Sequence, residues 1–148
     1  MNLQILWRVK LGWFSMATIF EKLNLKDQQE IVVLNAPASF EKDLARLPAA
    51  HIHRHIHAVQ RSGFILAFVT HKIEVDALAH PIDARAKGDA IVWFAYPKGT
   101  SKKYKCDFNR DNGWDSMQAL GFDTVRAVAI DEDWSALRLR RKEYIKSR

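Results

Sequence analysis

Several features that define common protein classes are absent from this sequence. Its 148 residues include a single cysteine, Cys106, which excludes an internal disulfide framework and a metal site made of thiolates alone. Neither a G-x-G-x-x-G pattern nor a P-loop lysine motif is present. Such glycines let backbone N–H groups approach a phosphate closely, so their absence argues against a dinucleotide or nucleoside triphosphate enzyme. We therefore predict no cofactor, and the lone cysteine favours a reducing, cytoplasmic compartment.

A membrane-spanning run is also missing, although the chain starts with an apolar stretch. Residues 1–17 are interrupted by Arg8 and Lys10, and the apolar part is too short to cross a bilayer. The stretch lacks the charged start and the small-residue cleavage site of a signal peptide. We expect an N-terminal extension that docks on the domain or on a second copy of the chain, giving a homo-oligomer. A membrane surface is the alternative, and Met16 is a second candidate for the natural start.

Positive charge is present but unevenly distributed. The net charge is +6, yet residues 98–110 carry +4 and residues 138–148 carry +5, which leaves −3 for the rest of the chain. Basicity confined to one loop and one tail suits a local site for an anionic small molecule, or weak, salt-sensitive contact with a polyanion. The alternative is solvated charge that keeps the protein in solution.

One apolar segment organises the predicted fold. Gly88 and Asp89 indicate a turn, Ala90–Tyr96 is a continuous run rich in β-branched and aromatic residues, and Pro97 ends it. A run of this length that is apolar on both faces is typical of a central strand buried on both sides. A polar, basic loop follows the strand.

Further elements alternate along the chain. Strands are predicted at Ile31–Leu34, Phe64–Val69, Thr124–Ile130 and Trp134–Arg140, and helices at Ile19–Leu25, at Phe40–Leu47, after Thr70, and around Trp114, Met117 and Leu120. Ser39 and Thr70 are the predicted N-caps of the second and third helices, and Asn109 or Asp107 is that of the fourth. Pro81 is expected to break or restart the third helix. The alternation predicts an α/β fold, a Rossmann-like three-layer sandwich whose mostly parallel sheet ends in an antiparallel edge hairpin. We expect a single domain over 18–140, an extension over 1–17 and a frayed or solvated basic tail over 141–148.

The carboxyl end of the central strand is the candidate binding site. Open α/β sheets bind ligands beyond the carboxyl ends of their strands, and the basic loop there precedes a predicted helix N-terminus. Lys98, Ser101 and Lys102 are therefore predicted to hold a phosphate or a carboxylate. Asn35 and Tyr96, at neighbouring strand ends, complete the set. The alternative is a lysine-rich loop that is simply solvated.

Alternating histidines raise a second candidate, a metal site. They are His51, His53, His55 and His57. In an extended segment these imidazoles share one face, and two of them at i and i+2 can bind zinc, copper or nickel. A further ligand would have to come from His71 or His80. The alternative is a polar, half-exposed edge strand with Ile52 and Ile56 facing the core, and we predict no metal.

No catalytic residue is predicted. Cys106 lies beside Lys103 and Lys105, which could lower the pKa of its thiol, but no histidine is near it in sequence. The acidic run 131–133 suggests acid–base chemistry, yet adjacent carboxylates in a tight turn usually face water. An enzyme is therefore not the favoured interpretation.

Three landmarks follow one another over roughly residues 18–140. They are Asn35-Ala36-Pro37, Tyr96-Pro97-Lys98 and Asp131-Glu132-Asp133-Trp134-Ser135-Ala136-Leu137-Arg138. The combination resembles a family of short bacterial proteins of unknown function, which implies a small cytoplasmic α/β domain and transfers no activity. The last half also resembles the carboxyl half of a class I methyltransferase, whose sheet ends in a similar helix, strand and reversed strand. Here Asn35-Ala36-Pro37-Ala38-Ser39 replaces the glycine-rich turn expected after the first strand.

Three classes of function follow from these observations. We favour a small non-catalytic or cryptic ligand-binding α/β module with an anion site at the carboxyl edge of the sheet. The first alternative is a basic interaction protein for an acidic partner or nucleic acid. The second alternative is a degenerate methyltransferase-like enzyme.

Overall fold

Strands and helices alternate in the structure, a computed structural model that describes residues 18–146. The strands are β1 (Ile31–Leu34), β2 (Ile52–His53), β3 (Ser62–Phe68), β4 (Ala86–Pro97), β5 (Phe122–Ala129) and β6 (Trp134–Arg141). The helices are α1 (Ile19–Lys22), α2 (Ala38–Leu44), α3 (Lys72–Arg85) and α4 (Asp115–Ala119), with 3₁₀ turns at Ala49–His51, Ile56–Ala58 and Lys142–Tyr144. The predicted extension, 1–17, and the docking role expected of it lie outside the described residues.

The strands form a sheet in the order β2-β1-β3-β4-β6-β5. The first four in this order run parallel, and β6 is antiparallel to both of its neighbours, β4 and β5. Helices α1 and α2 pack on one face and α3 and α4 on the other. The architecture is therefore the predicted Rossmann-like three-layer sandwich, with a mostly parallel sheet that ends in an antiparallel hairpin.

β4 is the central strand, as its apolar run predicts. Residues 90–97 are all buried, and their side chains alternate between two cores: Trp93 belongs to the core under α1 and α2, and Phe94 to the core under α3 and α4. The turn predicted at Gly88 and Asp89 is wrong, because β4 begins earlier, at Ala86. Gly88 lies inside the strand with a φ of +54°, a conformation that glycine adopts without steric cost.

Aromatic rings link the N-terminal helices to β6 along one face of the sheet. A row of rings runs from Phe20 through Phe40 and Phe68 to Trp134, with successive centroids 5.6, 4.9 and 5.2 Å apart. Trp93 is fully buried and donates its indole N–H to the Leu23 carbonyl over 2.8 Å. This hydrogen bond fixes the residue that follows α1 to the middle of β4.

Helix ends differ from the sequence expectation for local reasons. Pro81 does not break α3, because its loss of one N–H is offset by the burial of Val75, Ala79 and Ile82 along the same helix. α1 ends at Lys22 rather than Leu25, since Asn24 takes a left-handed φ of +64° just beyond it. α2 likewise ends at Leu44 rather than Leu47, and it begins at Ala38 with Pro37 rather than Ser39 as its N-cap residue.

The C-terminal elements also depart from the prediction. The strand predicted as buried over 124–130 is an edge strand, and Phe122 is the only buried residue of β5. Arg141, expected to begin a frayed tail, is the last residue of β6. Its guanidinium donates to Asp83 Oδ1 at 2.7 Å and to the Asp83 and Ala86 carbonyls at 3.0 and 3.1 Å. These bonds fix the end of β6 to the end of α3.

Membrane insertion through a helix finds no support within residues 18–146. None of the helices in this range has both the length and the apolar character needed to cross a bilayer.

Candidate functional site

The carboxyl edge of the sheet contains the point where the strand order reverses. From β1 the chain passes through α2 to β2 on one side, and it then returns to β3 on the other side of β1. The crevice between two such strands is the usual ligand position in open α/β sheets. Here Asn35 and Ala36 follow β1, and Thr70 and His71 lie beyond the end of β3.

Asn35 turns the chain out of β1. Its φ of +57° lies in the left-handed region, which glycine favours and which asparagine tolerates better than other residues. Pro37 then precedes α2, whose first turn receives no side-chain cap. A single left-handed asparagine therefore makes the turn that a glycine-rich segment would otherwise make, and its exposed side chain lies at the crevice.

The loop after β4, residues 98–107 and hereafter the edge loop, first bends towards the β5–β6 turn. The Lys98 backbone N–H donates to the Asp133 carbonyl over 2.8 Å, and Ser101 Oγ donates to Asp133 Oδ1 over 2.8 Å. Ser101 Oγ also accepts the backbone N–H groups of Lys103 and Tyr104, at 3.3 and 3.1 Å. The Ser101 hydroxyl therefore holds the first half of the edge loop in place.

The second half of the edge loop returns to α3. The Asp107 backbone N–H donates to the Thr70 carbonyl at 3.4 Å, and Asp107 Oδ1 accepts the Lys72 backbone N–H at 2.7 Å. Glu74 Oε1 accepts the backbone N–H groups of Thr70 and His71 at 2.8 and 2.9 Å. The first turn of α3 attracts negative charge, as helix N-termini do, and the carboxylates of Asp107 and Glu74 already accept hydrogen bonds there.

Hydrogen bonding keeps the Glu74 carboxylate ionised. Burial alone would raise the pKa of Glu74, but the backbone N–H groups of Thr70 and His71 and the Thr70 hydroxyl together bring that pKa below its ordinary value. The capping carboxylate therefore stays charged at neutral pH.

Tyr96 lies beneath the edge loop rather than at its surface. Its side chain is 6% exposed, and its ring packs against Phe108 and Trp114 with centroid distances of 5.7 and 5.8 Å. Burial raises the pKa of the Tyr96 phenol, although a hydrogen bond with Ser135 opposes the effect. The phenol is therefore protonated at neutral pH and supports the loop from below.

The predicted ligand residues reach one edge of the sheet without forming one cluster. β3 lies between β1 and β4, so Asn35 and Tyr96 are two strands apart, which is about 10 Å. Lys98 is half-buried and Lys102 is exposed, and within residues 18–146 neither forms an ion pair. Both lysines are therefore available to an anion at this edge, whereas the Ser101 hydroxyl is engaged inside the loop.

The acidic turn 131–133 shares this edge, because β5 ends and β6 begins there. Asp131 Oδ1 accepts the backbone N–H groups of Asp133 and Trp134, each at 2.8 Å, so this carboxylate is part of the turn itself. Burial raises the pKa of Asp43 in α2, and the Asp131 charge adds to that effect. The carboxyl edge therefore carries both signs of charge, with negative groups in the β5–β6 turn and, from Glu74 and Asp107, at the first turn of α3.

Cys106 is not an activated thiol. Burial raises its pKa, and the carboxylates of Asp107 and Glu74 act in the same direction. The expectation that Lys103 and Lys105 lower this pKa is therefore wrong, and the protonated thiol packs against the core under α3.

The histidine-rich segment is not the alternating strand that the sequence predicts. β2 contains only Ile52 and His53, and 3₁₀ turns precede and follow it. The imidazoles therefore diverge: His53 Nε2 pairs with Glu30, and His57 Nδ1 lies 2.9 Å from an Arg85 guanidinium nitrogen. Over residues 18–146, no three metal-ligating side chains come together as a metal site.

The sequence pattern does not indicate what Asp107 and His71 do. Either Asn109 or Asp107 is predicted to cap the helix that follows, but Asp107 instead accepts the backbone N–H of Lys72, 35 positions earlier, and so caps α3. Thr70 is the predicted N-cap of α3, whereas the structure places His71 there. The available signal is the three-residue spacing of His71 and Glu74, which is the spacing of a capping box.

No protein-family model matches the chain, and no curated protein is significantly similar to it in sequence. The fibrillarin pre-rRNA processing protein of Methanococcus jannaschii is structurally similar at 13% identity with a TM-score of 0.49, over 76% of this chain and 56% of that chain. Aeropyrum pernix fibrillarin with natively bound S-adenosyl-L-methionine is similar at 12% identity with a TM-score of 0.47, over 74% and 55%.

A third similar structure is the N-methyltransferase NodS of Bradyrhizobium japonicum in complex with S-adenosyl-L-homocysteine. It is 11% identical with a TM-score of 0.46, over 76% of this chain and 67% of that chain. The chain thus spans little more than half of the two fibrillarins, and at these identities the likeness is one of fold alone. The resemblance to the short bacterial family remains a prediction.

Proposed function

We propose that this chain is a ligand-binding α/β module that takes a small anionic molecule at the carboxyl edge of its sheet. The ligand lies in the crevice between β1 and β3, beside the edge loop. The observation that carries the proposal is the reversal of strand order between β1 and β3. The chain leaves β1 towards α2 on one face and leaves β3 towards α3 on the other, so the two connections diverge and open a crevice.

Three side chains at this edge suit an anion. The exposed amide of Asn35 is a neutral hydrogen-bond donor at the crevice, and the Lys98 and Lys102 ammonium groups have no carboxylate partner within the described residues. In this proposal Ser101 and Tyr96 do not contact the charge of the ligand directly. They hold the edge loop, Ser101 by its hydrogen bonds and Tyr96 by packing beneath it.

The Asp107 carboxylate lowers the affinity of the proposed site for an anion. Its carboxylate sits on the first turn of α3, next to the crevice, and repels an incoming anion. Removing that charge should therefore strengthen anion binding, whereas removing the two lysines should weaken it. These opposite changes in anion affinity distinguish a site at this edge from adsorption elsewhere on the surface.

A thermal-shift screen with inorganic phosphate, nucleotides and S-adenosylmethionine tests the proposal. We expect at least one of these ligands to raise the melting temperature of the wild type. The double change Lys98→Ala with Lys102→Ala should reduce that rise, and Asp107→Asn, which removes the charge but keeps an acceptor for the Lys72 N–H, should enlarge it. Lys87→Ala is the matched control, because Lys87 is an exposed lysine near the other end of β4. No stabilisation by any of these ligands at millimolar concentration would reject the proposal.

A methyltransferase-like role is the second candidate, and the position of β6 favours it. The sequence resemblance implies a reversed strand at the end of the sheet, and β6 runs antiparallel between β4 and β5. Here the ligand of the crevice would be S-adenosylmethionine, held without a glycine-rich turn. Titration with S-adenosylhomocysteine measures binding, and incubation with methyl-labelled cofactor measures transfer. If the chain binds S-adenosylhomocysteine but transfers no methyl group, it is a non-catalytic module. If it does not bind, the methyltransferase-like role is rejected.

A further inference from the structure

The sheet face beside α1 carries three arginines, away from the carboxyl edge. Arg126 in β5 and Arg138 in β6 are direct partners across the two strands, and Arg140 lies two residues further along β6 on the same side. Trp93 in β4 is the partner of Arg138 on its other flank. We call Arg126, Arg138 and Arg140 the arginine face. It lies about 13 Å along β6 from the strand end that borders the edge loop.

Placing the guanidinium groups of the arginine face side by side destabilises the folded state unless a negative charge compensates for their repulsion. Like charges placed directly opposite one another destabilise an antiparallel pair. Burial lowers the pKa of Arg138, and the charge of Arg140 lowers it further; the Asp89 carboxylate opposes this effect, and Arg126 adds to it. Within residues 18–146, the buried Nε of Arg138 also has no hydrogen-bond partner. A buried donor without an acceptor has lost its hydration and gained nothing in return.

The chain supplies a single carboxylate to this cluster. Arg140 Nε and Nη2 donate to the two oxygens of Asp89 at 2.8 and 2.6 Å, which makes a bidentate pair. Arg126 donates only to the Lys22 carbonyl, at 3.4 Å, and in the described part of the chain neither Arg126 nor Arg138 forms an ion pair.

No acidic side chain of this sequence lies outside the described residues. All 17 Asp and Glu residues fall within 18–146, and residues 1–17 contain none. The segments 1–17 and 147–148 therefore add no side-chain carboxylate to the arginine face.

We propose that the arginine face binds a phosphate group, with Arg126 and Arg138 as its main ligands and Arg140, held by Asp89, beside them. A guanidinium presents a planar fork of N–H donors that matches the oxygens of a phosphate. Two forks on facing strands can take one phosphate between them, which replaces their repulsion by two charge-assisted contacts. The group is carried either by a small phosphorylated molecule or by the backbone of a nucleic acid.

Thermal unfolding at low ionic strength, with and without inorganic phosphate, is the first test. Without phosphate, Arg126→Gln should raise the melting temperature, because it removes the like-charged partner of Arg138. With phosphate, the wild type should gain stability, and Arg126→Gln and Arg138→Gln should each weaken phosphate affinity by about tenfold, the loss of one charge-assisted contact. Arg126→Lys should lose less phosphate affinity, since lysine keeps the positive charge but not the planar set of N–H donors of a guanidinium.

Arg61→Gln is the matched control, because Arg61 is an exposed arginine outside both proposed sites. It should leave phosphate affinity unchanged. Arg126 is exposed, so Arg126→Gln tests the site even if Arg138→Gln lowers the yield of folded protein. A loss of phosphate affinity in Lys102→Gln, with wild-type affinity in Arg126→Gln, would overturn the inference and leave the site proposed at the carboxyl edge standing.

A short single-stranded oligonucleotide of mixed sequence distinguishes the two sources of phosphate. If nucleic acid is the source, its affinity should fall steeply with added salt and should fall again in Arg126→Gln. If a small molecule is the source, inorganic phosphate binds and the oligonucleotide does not. Either pattern supports the arginine face. Failure of both probes to bind at low salt would reject it.

Discussion

The carboxylate of Asp107 accepts the backbone N–H of Lys72 at 2.7 Å, although the two residues are 35 positions apart in the chain. Helix caps usually come from the residue that directly precedes the helix. Here the cap comes from the end of the edge loop, so the same bond serves α3 and fixes the loop beside the end of β3. The loop and the first turn of α3 are therefore expected to gain or lose order together.

Replacing Asp107 tests this coupling. Asp107→Ala is expected to lower the free energy of unfolding by about 0.5–2 kcal/mol, the usual loss when a helix cap is removed. Asp107→Asn should lose less, because its amide oxygen still accepts the Lys72 N–H. Urea denaturation measures both values. Asp111→Ala is the control, since Asp111 is an exposed aspartate just beyond the edge loop; an equal loss there would show that the cap contributes nothing.

A matched pair of glycines separates crowding from backbone strain. Gly113 and Gly121 have φ angles of +92° and +93°, so alanine at either position meets a backbone strain of about 1–2 kcal/mol. A Cβ at Gly113 would also lie 2.8 Å from the Phe108 Cβ, whereas a Cβ at Gly121 would have no heavy atom of residues 18–146 within 4 Å.

Gly113→Ala should therefore be less stable than Gly121→Ala by a further 1–3 kcal/mol or so, the range for an overpacked core. Thermal unfolding of the two variants side by side gives the difference. Near-ultraviolet circular dichroism should change only in Gly113→Ala, because Phe108 packs on Tyr96 and Trp114. Equal melting temperatures for the two variants would contradict the crowding argument.

Pro81 offers a stabilising change. It lies inside α3 and cannot donate to the Ala77 carbonyl one turn earlier. Pro81→Ala restores that donor, and we expect a gain of about 2–2.6 kcal/mol, the roughly 3 kcal/mol cost of proline in a helix interior less roughly 0.4–1 kcal/mol for the greater freedom of the unfolded chain. Pro48→Ala, at a proline outside the helices, should show no such gain. Destabilisation by Pro81→Ala would mean that packing of the proline ring outweighs the missing hydrogen bond.

The Asp89–Arg140 ion pair should contribute to the loss of folding stability at acidic pH. The Arg140 guanidinium hydrogen-bonds Asp89 and thereby lowers the pKa of that carboxyl in the folded state. Its stabilisation is complete above the unfolded pKa, about 3.9, and is lost as pH falls through the lower folded value. Asp89→Asn should therefore be less stable than the wild type at pH 7 and should lose stability less steeply below about pH 4.

Urea midpoints measured from pH 7 to pH 2 check this dependence. Arg140→Gln removes the donor and should reproduce the flatter profile of Asp89→Asn. If Asp89→Asn and the wild type had parallel profiles, the pair would contribute no pH-dependent stability.

The sequence is most informative where hydrophobic burial alone decides the structure. Ile31–Leu34 is a strand at the predicted residues, and the buried part of β4 follows its apolar run, because a continuous apolar segment has to be covered on both faces. The strand predicted around His53 is wrong for the opposite reason. Its polar–apolar alternation satisfies a strand pattern, but its imidazoles find separate partners in Glu30 and Arg85, which the pattern does not encode.

The sites depend on long-range pairing, which composition and spacing do not contain. The Arg126–Arg138 partnership requires β6 to lie between β4 and β5, and a register shift between Thr124 and Arg126 to bring these two side chains opposite each other. The Asp107–Lys72 bond requires the edge loop to fold back on α3. Lys98 and Asn35, by contrast, reach the carboxyl edge simply because they follow strands.

The insertion of β6 between β4 and β5 has a consequence for biosynthesis. β5 leaves the ribosome before β6, yet it has no place in the sheet until β6 has added to β4. Until β6 has left the ribosome, β4 therefore presents an apolar strand with one unpaired edge, the kind of surface on which nascent chains aggregate. Slow translation over the β5–β6 hairpin would lengthen that exposure, and a chaperone that recognises extended apolar segments would have its target in β4.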